Sequence, residues 1–273
     1  MPHPLEKGCF FLYGSKWDKK RDRRRWQILE KEMTSGTNKN NRRIEKLKKL
    51  VPYDMVIPLG MTLIMNTLAY NGSRLITTGR YHYDLTNAID DRIPVVSWTV
   101  GIYLGCYVFW MINYVIGCRQ DKQTAYRFLA ADFFAKIVCL ICFVAFPTTN
   151  TRPDIAGASV WDAALRFVYR ADAADNLLPS IHCLTSWFCY IAVRKNDRIP
   201  RWYRITSLVT AVAVCISTLT TKQHVIWDVA AGILLAEFGY WAVAATKAAD
   251  LYRRAMLALT ARVFHRRGKR ADE

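Results

Sequence analysis

Charged residues are scarce in this chain of 273 residues, and acidic ones most of all. They make up 22% of the sequence, with 22 Asp and Glu against 39 Lys and Arg, so the formal net charge is +17. Hydrophobic residues account for 52% and aromatic residues for 13%, which excludes an intrinsically disordered chain because disorder goes with low hydrophobicity. Eight cysteines in a chain of this length are also too few for a small secreted scaffold that is held together by disulfides.

The apolar residues stand in long runs, and the basic residues lie between them. A membrane-spanning helix needs about 20 mostly apolar residues, because the hydrocarbon core is about 30 Å thick and a helix rises about 1.5 Å per residue. Six runs are candidates, at residues 55–70, 94–117, 128–146, 179–193, 205–219 and 225–246. The sequence therefore predicts an all-α polytopic membrane protein. Its bundle of about six transmembrane helices occupies residues 55–246, between basic tails at 1–54 and 247–273.

The distribution of basic residues predicts how these spans are oriented. The two tails and the connections at 118–127 and 194–204 contain 31 Lys and Arg, whereas the alternate connections contain 7. Cytosolic loops carry the excess of Lys and Arg, so we expect both termini in the cytosol. The loops around 71–94, 147–179 and 220–224 would then lie on the outer side of the membrane, which we expect to be the plasma membrane. The first fifty residues are polar, so we expect no cleavable signal peptide.

A net charge of +17 can also indicate nucleic-acid binding. Here the topology accounts for the basic residues, and anionic lipid headgroups on the cytosolic leaflet are their expected partners. We therefore expect no nucleic-acid partner.

Polar and ionisable residues gather at three span ends, all on the side predicted to face outward. Such residues are costly near a membrane and usually have a function. The clusters are Pro147–Pro153, which contains Arg152; Leu178–His182, which contains Ser180; and Thr220–Asp228, which contains Lys222 and His224.

The types of residue in these clusters favour phosphoryl transfer. His224 and Asp228 are four residues apart on one helix face, where a carboxylate can orient an imidazole. Ser180 is a natural helix N-cap two residues before His182, and helix N-termini bind anions. Two His and one Asp could also ligate a metal, but the Arg and Lys beside them would repel a cation. We therefore expect no metal and no other cofactor.

These motifs resemble the type 2 phosphatidic acid phosphatase superfamily, which includes lipid phosphatases and haloperoxidase-like enzymes, and in particular its membrane branch. The resemblance rests on Pro-Ser-Ile-His at 179–182, on Lys-Gln-His-Val-Ile-Trp-Asp at 222–228 and on an upstream Thr-Arg-Pro. It implies metal-independent chemistry through a phosphohistidine. His224 would be the nucleophile, Asp228 would orient it and His182 would protonate the leaving oxygen. The resemblance also implies that Arg152 and Ser180 hold phosphate oxygens.

The chain departs from the family pattern at three positions. Ile181 stands where the lipid phosphatases have Gly, and Thr218 stands where they have Arg. We infer that Lys222 supplies the missing charge. The Lys that usually comes close before the Arg-Pro pair is found sixteen residues upstream, as Lys136. That separation is about 24 Å of helix, so we expect Lys136 to pair with Asp132 rather than to touch the phosphate.

Three functions remain open at this stage. The first is hydrolysis of a lipid phosphomonoester or pyrophosphate at the outer face. The second is transfer of a phospho-headgroup to a lipid alcohol, as in sphingomyelin-synthase-like enzymes. The third is non-catalytic binding of anionic lipids, for which the pair of histidines and the Asp would not be needed. The apolar positions 160, 161, 164, 165 and 168 also predict an amphipathic helix in the long outward loop.

Overall fold

A computed structural model describes residues 51–271, with side chains up to residue 262. The N-terminal basic tail predicted over 1–54 lies, as far as residue 50, outside the described residues. The helices of the described range are α1 (Tyr53–Thr67), α2 (Ser73–Thr77), α3 (Ala88–Arg92), α4 (Val100–Cys118), α5 (Lys122–Ala145), α6 (Val160–Ala171), α7 (Ile181–Arg194), α8 (Arg201–Thr220), α9 (Ile226–Ala245) and α10 (Ala248–Ala271). Two short strands, β1 (Tyr83–Asp84) and β2 (Thr148–Thr149), pair in parallel.

The prediction of a helical membrane protein is confirmed. Four helical segments of the described chain are long and apolar enough to cross a membrane: Ser97–Cys118, Lys122–Ala145, Arg201–Thr220 and Ile226–Ala245. They correspond to the second, third, fifth and sixth predicted spans. The first predicted span is divided between α1, a π-helical turn at Leu68–Gly72 and α2, and the fourth corresponds to α7, which has 14 residues. The total of six spans stays a prediction.

The long helices carry apolar side chains on the outside as well as in the core. Many large hydrophobic residues of these helices are more than 50% exposed, among them Met111, Ile141, Val209, Leu234 and Phe238. A water-soluble protein rarely exposes so many contiguous apolar side chains. Lipid acyl chains can surround these exposed side chains without an energetic penalty, because the acyl chains are equally apolar.

Helix α5 is the centre of the bundle. It packs against α1, α7, α9 and α10, and residues on its inner face, such as Phe128 and Leu129, are fully buried. Its N-terminus is capped by Asp121, whose side chain accepts a hydrogen bond from the main-chain N–H of Thr124. The C-terminal segment also packs against this core, because Tyr252 of α10 is buried and donates a hydrogen bond to the carbonyl of Pro58.

Pro58 lies inside α1 and has no N–H to donate to the carbonyl of Asp54, four residues earlier. The hydroxyl of Tyr126 donates to that carbonyl instead, at 3.2 Å. A helix from a different part of the chain therefore satisfies the backbone group that the proline leaves free, which is how a membrane helix tolerates proline.

The three loops predicted to face outward lie together at one end of the bundle. The β1–β2 pairing joins the first loop to the second, with Tyr83 opposite Thr148. The third loop joins both, since Asn150 donates to the carbonyl of Lys222 at 3.0 Å and the Lys222 ammonium donates to the carbonyl of Asp90 at 2.6 Å. The loops around 71–94, 147–179 and 220–224 thus form one assembly, which is compatible with the prediction that they share one side of the membrane.

The amphipathic helix predicted in the second loop is present as α6. Ser159 and Asp162 form a capping box at its start, in which each side chain accepts from the other residue's main-chain N–H. Leu165 and Val168 are buried in a small cluster with α4, whereas Val160 is 75% exposed. The predicted apolar stripe is therefore only partly used for packing within the protein.

Helices α7 and α9 approach closely where Gly232 of α9 faces the start of α7. A Cβ atom at Gly232 would lie 2.7 Å from the main-chain carbonyl oxygen of Ser180. The main-chain N–H of Ser180 also donates to the carbonyl of Asp228 at 3.0 Å. The two helices that carry the predicted catalytic residues are thus in contact through their backbones.

We expect Gly232→Ala to destabilise the protein by about 1–3 kcal/mol, the usual cost of forcing extra volume into a packed site. The measurement is the thermal unfolding midpoint of the purified protein in detergent. Gly239→Ala on the same helix is the matched control, because its new Cβ would lie 3.8 Å from its nearest neighbours. Equal midpoints for the two variants would contradict the close-approach argument.

Candidate active site

His224 and Asp228 form a buried pair at the start of α9. The Nδ1 atom of His224 lies 3.2 Å from Oδ2 of Asp228, whose side chain is fully buried. The same oxygen accepts the main-chain N–H of Val225 at 3.0 Å. A carboxylate can only accept, so Nδ1 carries the proton and the lone pair of the imidazole is on Nε2. That is the arrangement required of a histidine nucleophile.

His182 lies on the first turn of α7, with its ring centre 5.9 Å from that of His224. Its ring stacks on Tyr103 at 4.6 Å and is tilted against Trp110 at 5.5 Å, both from α4. Its Nε2 atom is buried and has no hydrogen-bond partner among the described residues. A buried polar atom without a partner is costly, and a ligand with a hydrogen-bonding oxygen would satisfy it.

Arg152 brings a positive charge to the same place. Its guanidinium donates to the carbonyl of Asp172 at 2.5 Å and to the amide oxygen of Gln223 at 2.9 Å, and it lies over the Tyr169 ring at 5.1 Å. Burial lowers the pKa of Arg152 from its usual value. Within the described chain its hydrogen-bond partners are neutral oxygens, so its charge remains available to an anion.

Arg152, His182 and His224 line one cavity of about 300 Å³. Aromatic side chains make up much of its wall, including Tyr70, Tyr103, Tyr107, Trp110 and Phe167. The arrangement combines a nucleophile, a second histidine and a cation beside a surface suited to an apolar group. Chemically, it can hold a phosphate, attack its phosphorus atom and protonate a leaving oxygen.

Ser180 and Lys222 occupy different positions from the three central residues. The Ser180 hydroxyl is fully buried and caps α7 by accepting the main-chain N–H of Cys183 at 3.3 Å. Lys222 lines a second cavity of about 410 Å³, together with Asp90, Asn150 and His224. His224 is therefore in the walls of both cavities.

Lys136 pairs with Asp132 within α5. The ammonium lies 2.9 Å from Oδ2 of Asp132, and the two side chains are 2% and 0% exposed. The ammonium also lies 5.6 Å from the Tyr114 ring centre. Lys136 is absent from the walls of both cavities within the described chain.

Asp172, at the end of α6, is a residue of the main cavity that the sequence motifs did not single out. Burial raises its pKa to about 6, an effect that nearby Asp175 reinforces and His224 opposes. Tyr103, Trp110 and Gln223 were missed as well. Gln223 is adjacent to His224 in the sequence. Tyr103, Tyr107 and Trp110 have the spacing of one helix face, and that spacing could have identified them.

Among the side chains that the structure describes, at residues 51–262, no group of three or more His, Cys, Asp or Glu is arranged to hold a metal ion. A family model described as the PAP2 superfamily matches residues 82–242. The matched range covers more than half of the chain and contains both histidines, Asp228 and Arg152. A comparison with curated proteins finds no match.

We expect Lys136→Met to destabilise the protein by about 3–5 kcal/mol, because it leaves the buried Asp132 carboxylate without its partner. The Asp132→Ala/Lys136→Met double variant should recover most of that loss and retain phosphate release. Thermal midpoints in detergent and activity per folded molecule would be measured together. A stable double variant without activity would instead indicate that Lys136 takes part in catalysis.

Proposed function

The chain belongs to the PAP2 superfamily, and from that membership we propose a membrane enzyme that hydrolyses a lipid phosphomonoester or pyrophosphate. Membership supports phosphatase-type activity, that is, hydrolysis of a phosphoric ester. The lipid substrate, the phosphohistidine intermediate and the outward-facing site are the specific parts of the proposal.

One observation carries the proposal. The imidazole of His224 is oriented by the buried Asp228 carboxylate, while His182 and Arg152 line the same cavity. Asp228 is fully buried and lies in an apolar helix, where a carboxylate without a function would be expensive. A protein that only bound anions would need Arg152 but not this oriented pair.

The proposed reaction begins with phosphate oxygens bound by Arg152. The lone pair on Nε2 of His224 attacks the phosphorus atom, and the bond to the leaving oxygen breaks. His182 gives its proton to that oxygen, so the lipid alcohol leaves neutral. The hydrogen bond from Nδ1 to Asp228 stabilises the positive charge that forms on the His224 ring.

In the second half of the reaction, His182 takes a proton from water, and the oxygen of that water attacks the phosphohistidine. The phosphorus–nitrogen bond breaks, phosphate is released and His224 is regenerated. Ser180 would contribute by capping α7, so that the helix N-terminus faces the phosphate. Lys222 would add positive charge from the second cavity.

The aromatic wall of the cavity and the apolar exterior of the bundle support a lipid as the substrate. A substrate with acyl or prenyl chains can remain partly in the bilayer while its phosphate occupies the polar end of the cavity. The distribution of basic residues supports an outward position for that end. The basic tails would bind anionic headgroups on the cytosolic side.

We expect His224→Ala to abolish phosphate release, because no other group can take the place of Nε2 at the phosphorus atom. The assay uses detergent-purified protein with lipid monophosphates and polyprenyl pyrophosphate. The variant's thermal midpoint, compared with that of the wild type, serves as the folding control. Retained activity would overturn the nucleophile assignment.

A folded wild-type protein that releases no phosphate would contradict hydrolysis. Transfer of label to an added lipid alcohol would then identify a phosphotransferase, and its absence would leave an anionic-lipid binder.

We expect EDTA to leave phosphate release unchanged, since Arg152 lines the main cavity with both histidines and Lys222 lines the second cavity with His224, and both cations would repel a metal ion. The measurement compares initial rates before and after dialysis against the chelator. Loss of activity that a divalent cation restores would contradict the metal-independent mechanism.

A further inference from the structure

Asp172 places a carboxylate in the cavity that is proposed to receive a phosphate. Its main-chain carbonyl accepts a hydrogen bond from the Arg152 guanidinium at 2.5 Å, which fixes this residue next to the phosphate-binding cation. Its side chain does not pair with that guanidinium. Instead, Oδ2 accepts from the Tyr103 hydroxyl at 3.4 Å and Oδ1 accepts from Arg74 at 3.5 Å.

Both side-chain contacts are long for hydrogen bonds. The neighbouring Asp175 shows the contrast, because its two oxygens accept from Nε of Arg74 at 2.7 and 2.9 Å. Arg74 therefore directs its charge mainly to Asp175. The Asp172 carboxylate is left with weak partners and is only 25% exposed, and this partial burial disfavours its negative charge.

The groups that face Asp172 come from each element packed around it. Arg74 lies on α2, Tyr103 on α4, Arg152 follows β2, and Asp175 follows in the same loop as Asp172. The two histidines, His182 and His224, share the cavity wall. Burial raises the pKa of Asp172 to about 6, with His224 lowering it and Asp175 raising it.

A phosphate group bound by Arg152 would share this cavity with Asp172. Two like charges in a partly buried site repel each other strongly, because little solvent screens them. A proton on Asp172 removes the repulsion and turns the side chain from an acceptor into a donor. The neutral acid could then donate to a phosphate oxygen.

We propose that Asp172 is a specificity-determining residue of the cavity, which admits a phosphate group as the neutral acid and opposes its binding as the carboxylate. The inference rests on the proposed function, since it concerns the same phosphate. It adds a proton-dependent step of substrate binding to the roles of the two histidines and Arg152.

The direction of the pH dependence follows from the ionisation of Asp172. The side chain is mostly protonated below its pKa of about 6, so anion binding is favoured there and weakens as the pH rises. If only the protonated form binds, affinity falls roughly thirtyfold between about pH 5 and about pH 7.5.

The test is a calorimetric titration of the detergent-purified full chain with inorganic sulfate at about pH 5 and about pH 7.5. Sulfate is tetrahedral like phosphate and keeps the same charge at both values, so any change in affinity belongs to the protein. At the higher pH we expect Asp172→Asn to bind sulfate roughly tenfold more tightly than the wild type does. The ratio of its affinity at about pH 5 to its affinity at about pH 7.5 should fall to a few-fold.

Asp172→Glu is the conservative variant and should keep a large ratio, because it retains a titrating carboxyl. Asp175→Asn is the control for the loss of a carboxylate from the same wall. It frees Arg74 and lowers the pKa of Asp172, but it leaves a titrating carboxyl at position 172. It should also keep a large ratio. The same ratio in Asp172→Asn as in the wild type, or a wild type whose affinity is equal at both pH values, would overturn the proposal.

Sulfate binding separates this proposal from the proposed enzymatic function. A protein that binds sulfate with the expected pH dependence but releases no phosphate would support Asp172 and contradict hydrolysis. A folded wild type that binds no sulfate at either pH would overturn both the phosphate pocket and the role of Asp172.

Discussion

The geometry of the site depends on Asp228, which is bonded through both its main chain and its side chain. Its carbonyl accepts the N–H of Ser180, two residues before His182, while its carboxylate accepts from Val225 and lies 3.2 Å from Nδ1 of His224. One residue thus connects the start of α7, which carries His182, with the turn that carries His224. Gly232, one turn further along α9, allows the backbones to approach closely enough for this bond. The 5.9 Å between the histidine rings follows from this junction.

Buried charges in this protein divide into those that are neutralised by a partner and those that are not. Lys136 and Asp132 neutralise each other at 2.9 Å, well inside α5. Arg152 instead donates from its two terminal nitrogens to carbonyl and amide oxygens, which do not cancel its charge, and its buried Nε has no partner among the described residues. A pair that is already neutral attracts no substrate, whereas an uncancelled charge in a cavity attracts an anion. The electrostatics therefore separate two basic residues that the family pattern would otherwise place in the same role.

Local patterns in the sequence predicted much of the fold and part of the site. The apolar runs gave the long helices, since the length and composition of a span are properties of one segment. The i,i+4 spacing predicted the contact of Lys136 with Asp132, because helix geometry alone brings such residues together. Ser180 as the N-cap of α7 was predictable for the same reason. The i,i+4 spacing also predicted the contact of His224 with Asp228, but His224 lies in the turn before α9, so the turn rather than one helix face makes that contact.

Contacts between distant segments could not be predicted in this way. Asp172 acquires its environment from Arg74 and Tyr103, which lie 98 and 69 residues earlier in the sequence. Nothing in the loop sequence around Asp172 shows that these groups surround it. The packing of Tyr252 against α1 likewise depends on the whole bundle, and no local pattern in the basic C-terminal segment indicates it.

The turn between α8 and α9 shows how such distant contacts determine the position of the proposed nucleophile, His224. Lys222 adopts a left-handed backbone conformation with φ of 53°, which costs a non-glycine residue about 1 kcal/mol. Its carbonyl accepts from Asn150 and its ammonium donates to the carbonyl of Asp90, so two other loops offset that cost. The turn lets the next two N–H groups, of Gln223 and His224, donate to the same carbonyl of Thr218 at 2.9 and 3.1 Å. His224 is therefore held at its main chain by the turn and at its side chain by Asp228. A side chain held in this way would lose little entropy in the proposed attack on a phosphorus atom.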